Sequence, residues 1–199
     1  MRGLYKRSKK VHGVGINDSD YNVAIRRGGK VVWRCPYYNT WAGMLQRCCS
    51  DKLKSRHPTY NNCSVCEEWL TFSNFKAWME QQDWEGKQLD KDLLKVGNKV
   101  YCPEWCIFVE RVVNSFVTDR VNARGDCMLG VFQRKTTNKF VAQCCNPFTG
   151  KQEHLGVFTD ELEAHLVWKT RKHQLACELA DSDLVTDERL AEALRTRYK

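Results

Sequence analysis

The chain lacks any apolar run near the roughly 18 residues that a membrane-spanning helix requires. Its opening, Met1-Arg-Gly-Leu-Tyr-Lys6, also lacks the apolar middle of a secretory signal. These shortages argue against a membrane partner and set the expectation of a cytoplasmic protein. The chain is short of acid as well: 24 Asp and Glu stand against 32 Lys and Arg in 199 residues, a formal net charge of +8. A surplus of that sign favours an anionic partner, and seven Trp interleaved with the charge fit nucleic acid better than a lipid surface. An even set of cysteines is missing too. Eleven do not close a disulfide framework, and a reducing compartment keeps them as thiols.

Most of these cysteines read as small core hydrophobes. The alternative is structural zinc held by Cys63-x-x-Cys66 and Cys102-x-x-x-Cys106, since zinc needs four soft ligands brought to a tetrahedron. The second pair is loosely spaced, and the Cys48-Cys49 and Cys144-Cys145 doublets show free use of Cys elsewhere. The length accommodates one compact domain or two small ones.

Residues 1–12 carry Arg2, Lys6, Arg7, Lys9 and Lys10 with few apolar anchors. They read either as a basic arm that touches phosphate through Lys9 and Lys10 or as a frayed, solvated terminus. From Val14 to Arg34 apolar and polar residues alternate around Arg27-Gly28-Gly29-Lys30, which predicts a β-hairpin. Trp41, Met44, Leu45 and Cys48 fall at i, i+3, i+4 and i+7, one face of a helix for which Thr40 is the expected N-cap. After a polar loop, Trp69, Phe72, Phe75 and Trp78 recur every third residue, a stripe suited to a core or to a base-stacking platform.

Next, Gln88-Leu-Asp90-Lys91-Asp92 reads as a strand ending in an acidic cluster. Gly97-Asn98 is a turn, the segment through Cys106 to Val109 a second strand, and Asn114 lies one turn into a helix. In such a β-β-α unit, Asp90 and Asn114 can supply oxygen ligands to one divalent cation. The unit resembles the ββα-metal core of phage HNH homing endonucleases. The ordered series Tyr38-x-x-Trp41-x-x-Met44-x-x-Arg47-Cys48, Pro58-Thr-Tyr60, Cys66-Glu-Glu-Trp69, Phe72-Ser-x-Phe75 and Leu89-Asp-Lys-Asp extends the resemblance over about residues 11–116. It implies a magnesium- or manganese-dependent DNA endonuclease with Asp90 and Asn114 as metal ligands and catalytic positions. Two departures stand out: Lys91 occupies the place of the general-base histidine and Trp105 that of the middle Asn. An unperturbed histidine near pKa 6.5 takes a proton from water at neutral pH, whereas an ordinary lysine near 10.4 is already protonated. Without the resemblance, Asp90 and Asp92 read as turn residues and Asn114 as a polar helix position.

After a linker carrying Arg120 and Arg124, three strands are expected: around Val131, at Lys139 to Gln143, and at Glu153 to Phe158. A helix follows from Thr159, and Asn146-Pro-Phe-Thr-Gly150 turns between the second and third strands. The Gly130-Val131, Lys139-Phe-x-Ala142 and Leu155-Gly-x-Phe158 landmarks resemble the APETALA or ethylene-response-factor type DNA-binding domain. That likeness implies a sheet laid in the major groove of double-stranded DNA with Arg134, Lys139, Gln143, Gln152 and His154 facing the bases. Phe132 and Cys145 replace arginines of the plant pattern, so its base preference does not carry over. A core of Val131, Val141, Leu155, Phe158, Val167 and Trp168 should close this module.

The sequence thus predicts an α+β protein: a basic arm at 1–12, an HNH-like hairpin-and-helix domain at 13–117, a sheet-type module at 126–181, and a last helix within 182–199. That helix docks on the module or serves self-association. The expected function is sequence-specific binding of double-stranded DNA, with metal-dependent nicking. The alternatives are a catalytically inactive regulator derived from such a nuclease and a protein-binding antagonist of a host system.

Overall fold

A computed structural model of the protein describes residues 10–118 and 126–199. Lys9, Arg120 and Arg124 lie outside the described residues. The architecture is α+β, and the chain divides into two units, one running to Phe108 and the other Val109–Lys199. The division falls before the helix that carries Asn114, whereas the sequence suggested a break after residue 117.

In the first unit, β1 (Ala24–Arg27) and β2 (Lys30–Arg34) form the expected hairpin. Gly28 and Gly29 turn it with φ of 56° and 78°, angles at which a Cβ would be strained. Helix α1 (Pro36–Cys49) buries Trp41, Met44, Leu45 and Cys48, the face read from their spacing. Its start differs from expectation. Pro36, whose ring presets a helical φ, opens the helix one turn early, so Thr40 is not the N-cap. Inside the helix its Oγ1 donates instead to the Pro36 carbonyl at 3.1 Å.

Helix α2 (Asp51–Arg56) is capped by Ser50, whose hydroxyl accepts the Leu53 N–H at 3.3 Å. The aromatic stripe begins in a 3₁₀ turn, Glu68–Leu70, and continues through α3 (Phe72–Met79). Trp69, Phe72 and Phe75 are buried and Trp78 half-buried, so the stripe is core and not a stacking platform. Trp41 Nε1 donates to the Trp69 carbonyl at 2.7 Å, tying α1 to that turn, while the Trp69 and Phe75 rings meet edge-on at 5.0 Å. Such aromatic pairs contribute about 0.5–1.5 kcal/mol beyond the area they bury. Strand β3 (Ser64–Val65) runs parallel to β5 (Val100–Tyr101), and β4 (Gln88–Asp90) is hydrogen-bonded to β6 (Ile107–Val109).

The second unit holds α4 (Arg111–Val117) and the antiparallel sheet β7 (Val131–Gln133), β8 (Phe140–Cys145) and β9 (Gln152–Phe158). Helices α5 (Glu161–Ala180) and α6 (Glu188–Arg197) follow. The β8–β9 turn forms because the Asn146 side chain accepts the N–H groups of Phe148 and Thr149, at 2.9 and 3.2 Å. Asp160 caps α5 by accepting the Glu163 N–H at 2.8 Å. Val131, Ala142 and Ala164 centre the core between sheet and helix, with Phe140, Leu155 and Phe158 packed around them.

Trp168 is buried and Val167 half-buried, as the core reading required of the first but not fully of the second. Val141 corrects that reading: it is buried, yet the register pairs it with Phe132 and Val157, on the opposite face from Ala142. The C-terminal helix α6 packs on α5 and buries Leu190, Ala191 and Leu194, which is the docking arrangement.

Lys172 of α5 is the second unit's buried cation. Its ammonium donates to the Phe116 carbonyl at 2.6 Å and lies over the Phe116 ring at 3.3 Å. Burial pulls its pKa down to about 8, while the carbonyl end of α4 and the ring face favour the charge that remains. Among the described residues, no helix is long and apolar enough to cross a membrane.

Gly130 tests how tightly α5 seats on the sheet. Its φ is 74°, and an added Cβ would lie 2.0 Å from the Trp168 ring. Gly130→Ala should therefore cost about 2 kcal/mol or more, through overpacking together with left-handed strain. The loss reads as a lowered urea midpoint, and a Trp168→Leu background should recover the steric part of it.

Candidate nucleic-acid interface

The geometry of this surface follows from strand parity. In an antiparallel pair, residues directly opposite share a face, and successive residues alternate. Ala142 pairs with Val131 and Gly156 on the side of α5, whereas Gln143 pairs with His154 and Cys145 with Gln152 on the other side. Arg134 and Lys139 close the β7–β8 turn, with the Arg134 N–H donating to the Lys139 carbonyl at 2.9 Å. Continuing the Gln133–Phe140 register by one residue sets both on the side of Gln143. All five residues expected to face the groove thus occupy one face of the sheet, turned away from α5. Arg134, Lys139, Gln152 and His154 are exposed and Gln143 is half-buried.

The parity holds along β9 because of one irregularity. The register shifts between Ala142 and Gln143, where β9 carries Leu155 as an extra residue. This bulge lets Leu155 join the core while His154 and Gln152 stay on the outer face.

Electrostatics favour an anion on that face. Between Val131 and Phe158 the only acid is Glu153, which lies on the helix side opposite Cys144. Arg171 of α5 grips it with two bonds, Nε to Oε2 at 2.7 Å and Nη2 to Oε1 at 3.0 Å, and Asn146 adds a third at 2.8 Å. The Arg171 hydrogen bond is the main reason the Glu153 carboxyl titrates as low as about 2. Its charge is thus matched at the helix. Arg134 and Lys139 have no carboxylate partner among the described residues.

The β-β-α segment shows a different chemistry. Asp90 ends β4 and its Oδ1 accepts the N–H groups of Asp92 and Leu93, at 2.9 and 2.7 Å. Lys91 is buried. Its ammonium donates to Asp92 Oδ2 at 2.9 Å and to the Asn98 carbonyl at 3.2 Å. Burial alone would pull its pKa down, but the bond to Asp92 and that carboxylate's charge leave it above the ordinary lysine value. Two of the three ammonium protons of Lys91 are thus committed, and the raised pKa favours the charged form, which has no lone pair with which to take a proton from water.

Sequence reasoning missed the hub of this loop. Asn98 donates to the Lys91 carbonyl at 2.6 Å and the Val100 carbonyl at 2.8 Å, and accepts the Val100 N–H at 3.2 Å. The Gly97-Asn98 turn signal marked the position but not this role. Trp105 is exposed, with the Lys95 ammonium 4.7 Å from its ring centre.

The charged form of Asp90 is penalised, first by burial and then by Asp92, so its pKa lies above the ordinary carboxylate value. A hard divalent cation would relieve both effects, and a carboxylate oxygen is the donor it prefers, so Asp90 fits that ion. Asn114 belongs to the second unit, in α4, where its backbone N–H donates to the Glu110 carbonyl at 3.0 Å. None of the eleven cysteines is in a disulfide, and among the described residues no three His, Cys, Asp or Glu are grouped to hold a metal. Burial raises the pKa of Cys66, Cys102 and Cys106, and the Cys63 thiol donates to the Thr59 carbonyl at 3.8 Å. Comparison of the chain with family profiles, with curated proteins and with solved structures finds no match.

The raised pKa of Asp90 gives a pH signature. A carboxyl whose folded pKa lies above its unfolded value near 3.8 contributes stability below that value and loses it as pH rises through the folded pKa. Asp90→Asn, which keeps an acceptor for the two N–H groups, should thus raise the urea midpoint near neutral pH. Near pH 3 it should change little. A gain that is equal at both pH values would mean that ionisation of Asp90 is not its source.

Proposed function

We propose that the chain is a sequence-specific double-stranded DNA-binding protein of the HNH homing-endonuclease type, acting as a regulator that binds without efficient cleavage. The observation that carries this reading is the sheet register, which gathers Arg134, Lys139, Gln143, Gln152 and His154 on one face without a competing acid. Side chains of these kinds suit base edges: Arg pairs with guanine O6 and N7, and Gln with adenine N6 and N7. Lys139, at the turn, suits a phosphate and would set register rather than sequence.

The commitment of Lys91 to Asp92 and Asn98 supports binding over cleavage, because no free base stands where the resemblance requires one. Asp90 favours a second reading, slow metal-dependent nicking. A magnesium-class ion held there, with Asn114 as the further ligand that the resemblance implies, would supply charge stabilisation at a scissile phosphate. Asp90 itself would contribute a carboxylate already oriented by two backbone N–H groups.

Selection of bound sequences from a random duplex pool, followed by affinity measurement, tests the main reading. Arg134→Ala and Gln143→Ala should each cost about 1–3 kcal/mol on the selected site and relax preference at one base position. Lys139→Ala should weaken all sequences alike and reduce the salt slope by about 0.9. A wild-type chain that enriches no sequence would sink the proposal.

For the second reading, supercoiled plasmid is incubated with magnesium or manganese. Wild-type nicking should be faint, raised by Lys91→His and abolished by Asp90→Ala with DNA affinity retained. Robust wild-type nicking that Lys91→Ala destroys would make this lysine a working base and overturn the regulatory reading.

A further inference from the structure

The β1–β2 hairpin has a composition that its own unit does not use. Apart from Ala24, every residue of its two strands is exposed, including Ile25, Val31, Val32 and Trp33, residue types that folded chains ordinarily bury. From Tyr21 to Ser50 the sequence has no Asp or Glu, while the hairpin carries Arg26, Arg27, Lys30 and Arg34. Exposing this much apolar surface beside unmatched cations costs solubility and stability, and a bound partner offsets such a cost.

The register sorts these residues onto two faces. Ile25 pairs with Trp33 and Arg27 with Lys30 on one face; Ala24 pairs with Arg34 and Arg26 with Val31 on the other. On the second face the guanidinium groups are partly occupied, Arg26 with the Gly29 carbonyl at 3.3 Å and Arg34 with Asn39 at 3.4 Å. Among the described residues the side chains of Arg27 and Lys30 have no partner. The first face therefore presents an apolar pair, with Trp33 45% exposed, and two available cations at the tip of an exposed ribbon.

We propose that this ribbon is a second contact with duplex DNA, the Ile25–Trp33 and Arg27–Lys30 face entering a major groove. The proposal rests on the DNA-binding reading given above. Charge complementarity selects the occupant: a polyanion satisfies both cations, and the absence of acid for thirty residues leaves nothing to repel it. Shape agrees, since a major groove about 12 Å wide admits a two-stranded ribbon. The bulge between Ile25 and Arg26 increases local right-handed twist. In the groove Arg27 and Lys30 would neutralise phosphates while Trp33 and Ile25 would meet thymine methyl groups.

The test uses the full chain on its selected duplex. Arg27→Gln with Lys30→Gln should weaken binding about tenfold at 150 mM salt and lower the slope of log affinity against log salt by about 1.8, two phosphates' worth. Arg27→Lys with Lys30→Arg should restore both. Trp33→Ala should lower affinity with the slope unchanged, and each ribbon variant should shorten the hydroxyl-radical footprint at one side. Exposed side chains leave the fold intact, so urea midpoints should match the wild type. Wild-type slope and footprint in the Gln variant, with the Arg134→Ala defect still present, would overturn the ribbon contact alone. Loss of single-strand binding with duplex binding unchanged would also overturn it. No duplex binding by the wild type would overturn the parent reading as well.

Discussion

Strand parity in β7–β8–β9 is the constraint on which the second unit depends. Side chains alternate with a period of two, so a one-residue slip would carry Gln143, Gln152 and His154 to the helix side and expose Ala142 and Phe158 to water. Several features hold the register at once. Gly130 admits the Trp168 ring where any Cβ would collide, Asn146 shapes the β8–β9 turn, and Arg171 clamps Glu153 on the inner face. The Leu155 bulge takes up the one residue that would otherwise reverse the face of His154. The placing of Gln143, Gln152 and His154 on the outer face, around the Phe132–Val141–Val157 row, is therefore a consequence of how the inner face packs on α5, and the two cannot be altered separately.

How much of this was legible in the sequence depended on the range of the interaction involved. Periodic features were readable because their cause is local. The buried face of α1, the aromatic core around Trp69 and Phe75, the Gly28-Gly29 turn and the Asn146 turn all follow from spacing or backbone preference within a few residues. The α+β class and the order of the three strands follow from the same signals. Where two local signals competed, the reading failed. Thr40 is a good N-cap residue, but Pro36 presets helical backbone four residues earlier and wins. Val141 is apolar and central, yet parity, fixed by pairing with two other strands, decides which way it faces.

The loop from Asp90 to Val100 was less legible because its bonds span seven residues with no period to reveal them. Lys91 and Asn98 meet only once Gly97, with φ of 80°, has turned the chain back. In sequence, Lys91 stands where the resemblance expects a histidine. In the fold it is a structural cation whose burial is offset by Asp92, a carbonyl oxygen and the face of Tyr101 5.9 Å away. Removing one partner of such a group strands the other, so this loop resists piecemeal change. A histidine at 91 would surrender the Asp92 pairing at neutral pH in exchange for a free base, which sets loop stability against hydrolysis.

The same distinction between committed and available cations gives the net charge of +8 its meaning. Many of the positive groups do internal work. Lys91 braces a loop, Lys172 seats against Phe116, Arg171 holds Glu153, and Arg189 and Arg195 pair with Asp187, Asp181 and Glu188 around α6. None of these has charge to spare for a phosphate without breaking a native contact. Arg134 and Lys139 at one turn, and Arg27 and Lys30 at another, stand apart from carboxylates and sit on exposed antiparallel strand ends. Each pair is cross-strand, so hairpin geometry holds two like charges about 5 Å apart at the backbone. Like charges so placed repel one another, and an anion bridging them converts that repulsion into attraction.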